Sequence, residues 1–242
     1  LSNRKKKAMY INANSLVKVE PLTDNQTKLF EAYQEGKNIF ASGVAGSGKT
    51  FLLLYLALKE VFDKSTNYDK VIITRSLLPS RDIGFLPGTL DEKSDLYQDP
   101  YRLLVRYMFS MPNDAEFAQL YDMLVAQGTL EFISTSFLRG QTFDRAIILC
   151  DEFQNMLFHE LDTLITRIGQ DSKIMFAGDT AQTDLKKSNG DRAGPEKFKV
   201  ILETMKEFEC IDFDFGDIVR SGLVRSYLIA KTNLGSKVQD LS

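Results

Sequence analysis

Lys49 and Thr50 close the run Gly43-Val44-Ala45-Gly46-Ser47-Gly48-Lys49-Thr50, and that order of residue types is a phosphate-binding pattern. Its glycines let the backbone turn tightly enough for successive N–H groups to converge on one anion, and a helix starting there adds its positive amino-terminal pole. The lysine is placed to neutralise β- and γ-phosphates, and the threonine hydroxyl to ligate Mg²⁺. A second constellation follows downstream, where the apolar run Ala146-Ile-Ile-Leu-Cys150 ends in Asp151 and Glu152. Open α/β sheets bind ligands at the carboxyl ends of their strands, so the two acids sit where chemistry is expected. Asp151 is suited to hold Mg²⁺ through water opposite Thr50, and Glu152 to polarise an attacking water. The expected ligands are ATP and Mg²⁺, and the expected reaction is hydrolysis.

Other residues could complete such a site. Gly178-Asp179-Thr-Ala-Gln182 follows an apolar strand, which would bring Gln182 beside Asp151 as a sensor of the γ-phosphate or of the attacking water. The amide of Gln26, in a helix start capped by Thr23 or Asp24, offers the donor and acceptor that match the N6 and N7 edge of adenine. Hydrolysis also needs a cation for charge developing in the transition state, and the candidates are Arg139, Arg167, Arg220 and Arg225. Thr135-Ser136 and Arg139, in a loop leaving a strand, form a candidate nucleic-acid face.

Positioning these groups requires a sheet. Short apolar runs at Asn38 to Ser42, Val71 to Thr74, Leu130 to Ser134, Ala146 to Cys150, Ile174 to Ala177 and Ile211 to Phe215 read as strands, most of them buried on both faces. Helix-length segments alternate with them: Gly48 to Phe62, Tyr101 to Phe109, Asp114 to Gln127, Glu160 to Ile168 and Pro195 to Phe208. The alternation predicts an α/β fold with a mainly parallel sheet covered on both faces. A strand near Val71 or Leu130 is expected to lie between the loop strand and the acidic strand. Turn signals at Gly84, Pro87-Gly88, Pro100 and Pro112-Asn113 mark 77–127 as a helical insertion. The organisation expected is a basic extension over 1–20, one domain over 21–230 and a frayed polar ending over 231–242.

Composition narrows the class. The 242 residues are 43% hydrophobic, ample for a core, yet the longest apolar stretch, Phe51 to Leu58, is far short of a membrane span of roughly 20 residues. No apolar signal core follows Leu1 to Lys7, and the absence of an initiator methionine points to sequence removed or lying outside the chain. With two cysteines and a single histidine, His159, neither a histidine-rich metal site nor a Ser-His-Asp triad fits, and a reducing, cytoplasmic setting is expected. The formal charge of -3 carries no global basic footprint, although Arg4-Lys5-Lys6-Lys7 could meet phosphates locally.

The residues together resemble the PhoH family, P-loop ATPases related to the first RecA-like lobe of superfamily 1 helicases. The likeness runs from about Leu22 to Tyr227. It includes Thr74-Arg75, Gly84-Phe-Leu-Pro-Gly88, Glu92-Lys93, Tyr97, Pro100, Arg139-Gly140, Thr142, Asp151-Glu152 and Gln154-Asn155. It continues through Thr166-Arg-Ile-Gly169, Ser172-Lys173, Gly178-Asp179, Gln182, Asp184-Leu185, Asp217-Ile-Val-Arg220 and Leu223-Val224. Phe153 stands where the family has a small residue, Gln141 where it has arginine and Leu96 where it has proline. The resemblance implies ATP hydrolysis coupled to remodelling of RNA or DNA, as in a helicase, with RNA or single-stranded nucleic acid as the expected partner. It leaves one lobe to do a two-lobed task, so a neighbouring subunit is expected to lend Arg220 or Arg225 in a homo-oligomeric ring, a hexamer being one form. The competing expectation is an ATP-dependent switch that binds protein and never touches nucleic acid.

Overall fold

The computed structural model describes residues 11–76, 90–135, 138, 140–180 and 194–239. In chain order its elements are α1 (Asp24–Gln34), β1 (Asn38–Gly43), α2 (Lys49–Val61), β2 (Lys70–Arg75), α3 (Leu90–Met108), α4 (Asp114–Ala126), β3 (Leu130–Ser134) and β4 (Ala146–Asp151). They continue with α5 (Phe158–Ile165), β5 (Lys173–Gly178), α6 (Gly194–Glu203), β6 (Phe208–Phe213) and α7 (Gly222–Gln239).

The six strands form one parallel sheet in the order β3-β2-β4-β5-β1-β6. From β1 the chain moves through β2 to the far edge at β3, with α2, α3 and α4 packed on one face. It then returns through β4 and β5 to β6, with α5 and α6 on the other. Right-handed crossovers demand this change of face when the direction of travel reverses. The layout is the expected RecA-like α/β fold, and it opens a crevice where α2 leaves β1 one way and the segments after β4 and β5 leave the other.

Burial on both faces explains the unbroken apolar strands. Ile147 and Leu149 of β4 enter the α2 side, Ile148 and Cys150 the α5 side. The α5 side is aromatic: the Phe40 ring lies 4.4 Å from Phe153, 5.8 Å from Phe176 and 6.4 Å from Phe198 between centroids. Phe153, the departure after the acidic pair, is thus a core residue that fills this cluster. At the amino-terminal edge of β5, Lys173 is buried with its Nζ 3.8 Å from the Tyr33 ring centroid and 3.4 Å from Glu60 Oε2.

Several expectations need correction. The strand between β1 and β4 is β5, not the Val71 or Leu130 strand, because β2 and β3 are carried beyond β4. Pro100 lies inside α3 rather than in a turn. A proline costs about 3 kcal/mol in a helix interior, but Tyr101, Val105 and Met108, at helical spacing, are all buried and offset it. The last strand begins at Phe208, which shortens α6 to Glu203. Its Phe208 enters the α5 side and Ile211 and Phe213 the α2 side, while Glu209 and Asp212 are exposed, as an edge strand with only one neighbour allows. Helix α5 begins at Phe158, where the Leu157 N–H donates to Glu160 Oε2 (2.8 Å).

Within residues 11–20, Leu16 is buried and the Val17 N–H donates to the Met108 carbonyl at 2.8 Å, so this stretch packs on the domain. The polar ending is helical through Gln239. The turn signals at Gly84 and Pro87-Gly88 and the terminal basic cluster lie outside the described residues. No described helix is long and apolar enough to cross a membrane.

Replacing Phe40 by alanine empties the centre of the aromatic cluster. The expected loss is about 3–5 kcal/mol, read as a lower denaturant midpoint at unchanged slope.

Candidate functional site

β1 delivers the glycine loop. Gly43 has φ +121°, and a Cβ there would fall 2.0 Å from the Phe213 carbonyl oxygen, so β1 and β6 meet too closely for any other residue. The Val44 N–H donates to that same carbonyl at 3.1 Å. Gly46 (φ +83°) makes the loop's inner bend, and the Arg220 stem lies across it with Cγ 3.1 Å from where a Cβ would be. Helix α2 begins at Lys49 without a side-chain cap, which leaves its first N–H groups to the loop's hollow.

The Lys49 ammonium is folded back along the loop and donates to the carbonyls of Gly43 (2.7 Å) and Val44 (2.8 Å) and to Ser47 Oγ (3.1 Å). Burial pushes its pKa down to about 8, against the upward pull of Asp179, Asp151, Glu152 and Asp217. Those four carboxylates surround the only kind of side chain here that can reach a phosphate from beneath.

The acidic strand meets the loop across β5. The Thr50 hydroxyl donates to Asp151 Oδ1 at 2.8 Å, and the Tyr101 hydroxyl, from α3, donates to Asp151 Oδ2 at 2.8 Å. Burial holds the Asp151 pKa above the usual carboxylate value, although both hydroxyls and nearby Arg75 oppose the rise. Glu152 follows in left-handed backbone (φ 56°), which ends the strand abruptly and turns its carboxylate along the rim. Such a conformation costs a non-glycine residue about 1–3 kcal/mol and concentrates at working sites. Gln154 then holds the rim together: its Nε2 donates to Glu152 Oε2 at 2.8 Å, and its Oε1 accepts from the Asp179 N–H at 3.0 Å. At Gly178 a Cβ would strike Gln154 Oε1 at 2.3 Å, so β5 must end on glycine for this amide to fit.

These groups line one cleft of about 240 Å³, with Lys49, Thr50, Asp151, Glu152, Asp179 and Arg220 among its walls. The donor set suits the expected ligands. A hydroxyl and a carboxylate are hard oxygen ligands appropriate to Mg²⁺, and the loop's glycines leave room for an anion against the helix end.

Other expectations are redirected. Gln26 is buried, and its amide is spent on the chain: Oε1 accepts from the Leu22 N–H (2.8 Å) and Nε2 donates to the Ser47 carbonyl (3.0 Å). In this conformation it braces the loop with one of its two N–H donors and one of its acceptor sites. The Arg220 stem lies over the loop of its own chain, and the Val219 N–H donates to the Gly46 carbonyl at 3.2 Å. Arg225 is exposed on α7, away from the cleft walls. Arg167 is at the opposite edge of the sheet, where its carbonyl accepts from Phe143 N–H just before β4 begins. Gln182, Ser136 and Arg139 lie outside the described residues.

Sequence reasoning missed Tyr101, Gln154 as a bridge, and Asp217. Asp217 is buried and accepts from Thr23 Oγ1, Asn25 Nδ2 (2.8 Å) and the Asp214 N–H (2.8 Å), tying the start of α1 to the segment that carries Arg220. The only prior signal was its place three residues before that arginine.

Residues 18–231 match the family model described as PhoH-like protein. The chain is 32% identical over 207 residues to a PhoH-like protein of Mycobacterium leprae, covering 85% of this chain and 56% of that one. It is 33% identical over 216 residues to Protein PhoH of Escherichia coli, covering 86% and 57%. The chain therefore spans a little over half the length of these curated relatives. Among solved structures, the Pyrococcus furiosus Hef helicase domain overlaps 79% of this chain and 39% of its own (TM-score 0.43, 12% identity). The DUF1998 helicase MrfA bound to DNA overlaps 79% and 26% (TM-score 0.45, 11% identity). Likeness at that level is partial, and nothing in the functional reading rests on it.

A methyl group at Gly43 must displace the Phe213 carbonyl as well as strain the backbone. Gly43→Ala is expected to cost more than the roughly 1–2 kcal/mol of left-handed backbone alone, measured by chemical denaturation without nucleotide.

Proposed function

Because this chain belongs to the PhoH-like family, we propose that it is a magnesium-dependent ATPase whose turnover is coupled to RNA or other single-stranded nucleic acid. The observation that carries the reading is the Thr50 to Asp151 hydrogen bond of 2.8 Å, which joins the glycine loop's helix to the acidic strand at the rim of one cleft. A hydroxyl that donates to a carboxylate keeps its lone pairs directed away from it, so Thr50 and Asp151 offer oxygen to one cation. Held there, Mg²⁺ would neutralise negative charge on the bound phosphates.

The chain's own residues do the rest. The loop N–H groups and the amino-terminal end of α2 bind the phosphates, and Lys49 exchanges its carbonyl partners for phosphate oxygens. Glu152 orients the attacking water and draws its proton, held in place by Gln154 Nε2. Asp179 stands in the cleft wall, and Gln182 is the proposed sensor of the terminal phosphate. Arg220, draped over Gly46, contributes positive charge in cis. Exposed Arg225 is offered to the next subunit of a head-to-tail ring.

Glu152→Gln is expected to lower turnover by about 10²–10⁴-fold while Mg²⁺-nucleotide binding stays within a few-fold. An unchanged rate would remove the base assignment. Mixing arginine variants with Glu152→Gln separates the two arginines. Arg225→Ala should regain activity in the mixture, whereas Arg220→Ala should not, since its defect lies in the same site as its own glutamate. Stimulation of turnover by RNA that weakens with added salt is expected of the nucleic-acid reading, and its absence favours a protein-binding switch.

A further inference from the structure

We propose that Tyr101 is a positioning residue of the metal site, a hydroxyl from outside the loop and acidic strand that orients Asp151 to receive Mg²⁺. The inference rests on the nucleotide-binding reading above. Asp151 is nearly buried, and each carboxylate oxygen has one hydroxyl donor, Thr50 on Oδ1 and Tyr101 on Oδ2, both at 2.8 Å. Two donors from different elements stop rotation about the Cβ–Cγ bond, which one donor alone would leave free. No bulk water reaches the buried side to replace a lost donor.

The hydroxyl is delivered by a rigid support. The Tyr101 ring packs 5.7 Å from Phe132 of β3, and Val105 and Met108 are buried on the same helix face. The end of α3 is pinned by the Val17 N–H on the Met108 carbonyl (2.8 Å). Leu104, next to Tyr101 on the helix surface, lines the cleft itself. The chemistry of the donor matters too. A neutral hydroxyl orients the carboxylate without cancelling the charge that attracts a cation, whereas a lysine or arginine in its place would compete with the metal.

Tyr101→Phe keeps the ring and its packing and removes only the donor. Binding of a fluorescent ATP analogue is measured for wild type and variant in excess EDTA and across a Mg²⁺ titration, with thermal unfolding of the nucleotide-free proteins alongside. In EDTA the two should bind alike, within about twofold. With Mg²⁺ the variant should bind roughly tenfold more weakly, as the loss of a hydrogen bond to a charged group implies, and need correspondingly more Mg²⁺ for half-maximal tightening. Equal tightening by Mg²⁺ in both proteins overturns the proposal while the nucleotide reading stands. Weakening of the same size in EDTA and in Mg²⁺ also overturns it, because that is the mark of a packing role. If wild type itself shows no tightening by Mg²⁺, the magnesium reading of the cleft falls and the role of Tyr101 falls with it.

Discussion

The site depends on one short bond across an intervening strand. Thr50 starts a helix that leaves β1, Asp151 ends β4, and β5 separates the two strands, yet hydroxyl and carboxylate meet at 2.8 Å. Adjacent strands are about 4.8 Å apart, so two strands separated by a third stand nearly 10 Å apart. Threonine at the first turn of α2 crosses that gap only because α2 runs back over the sheet on the face to which Asp151 points. The end of the intervening strand, Gly178 and Asp179, fills that gap and lines the cleft. Position in the sheet, more than any local feature, therefore decides what the acids can do.

Two buried amides keep this arrangement in register. Gln26 joins the start of α1 to the Ser47 carbonyl, and Gln154 joins Glu152 to the Asp179 N–H. Each spends donor and acceptor on different segments, which a carboxylate or a hydroxyl could not do with the same geometry. In a buried setting an unmade bond to either amide costs about 1–3 kcal/mol, so each junction resists opening. The loop is thereby braced by α1 on one side and, through Phe213, Val219 and Arg220, by the strand and segment after it.

What the sequence made legible follows the range of the interactions involved. The loop and the acidic pair were readable because each is a contiguous run whose conformation is set by its own glycines or by a strand buried on both faces. Strand order was only half readable. That a strand intervenes could be argued from chain order, but which one depends on where the direction of travel reverses, and that is decided by helix packing on the two faces. Pro100 misled because proline is a reliable local breaker, and burial of Tyr101, Val105 and Met108 outweighed it. The Gln26 amide had the right chemistry for adenine and equally for two backbone groups, and only tertiary proximity chose between them. That the Arg220 stem lies over its own loop depends on the Val219 to Gly46 hydrogen bond, which no local pattern announces.

Asp217 shows how far apart in sequence the parts of one site lie. It gathers Thr23 and Asn25 from the start of α1 and lies three residues before Arg220, so the ends of the domain close on the same loop. Against the upward push of burial, three donors and the nearby Lys49 charge hold its pKa below the usual carboxylate value. A carboxylate satisfied in this way holds its partners chiefly by hydrogen bonds, with Lys49 acting on it only through its charge. Asp151 and Asp217 are thus held by hydroxyl, amide and backbone N–H donors. A phosphate site built with structural salt bridges would have had to break one to bind its ligand.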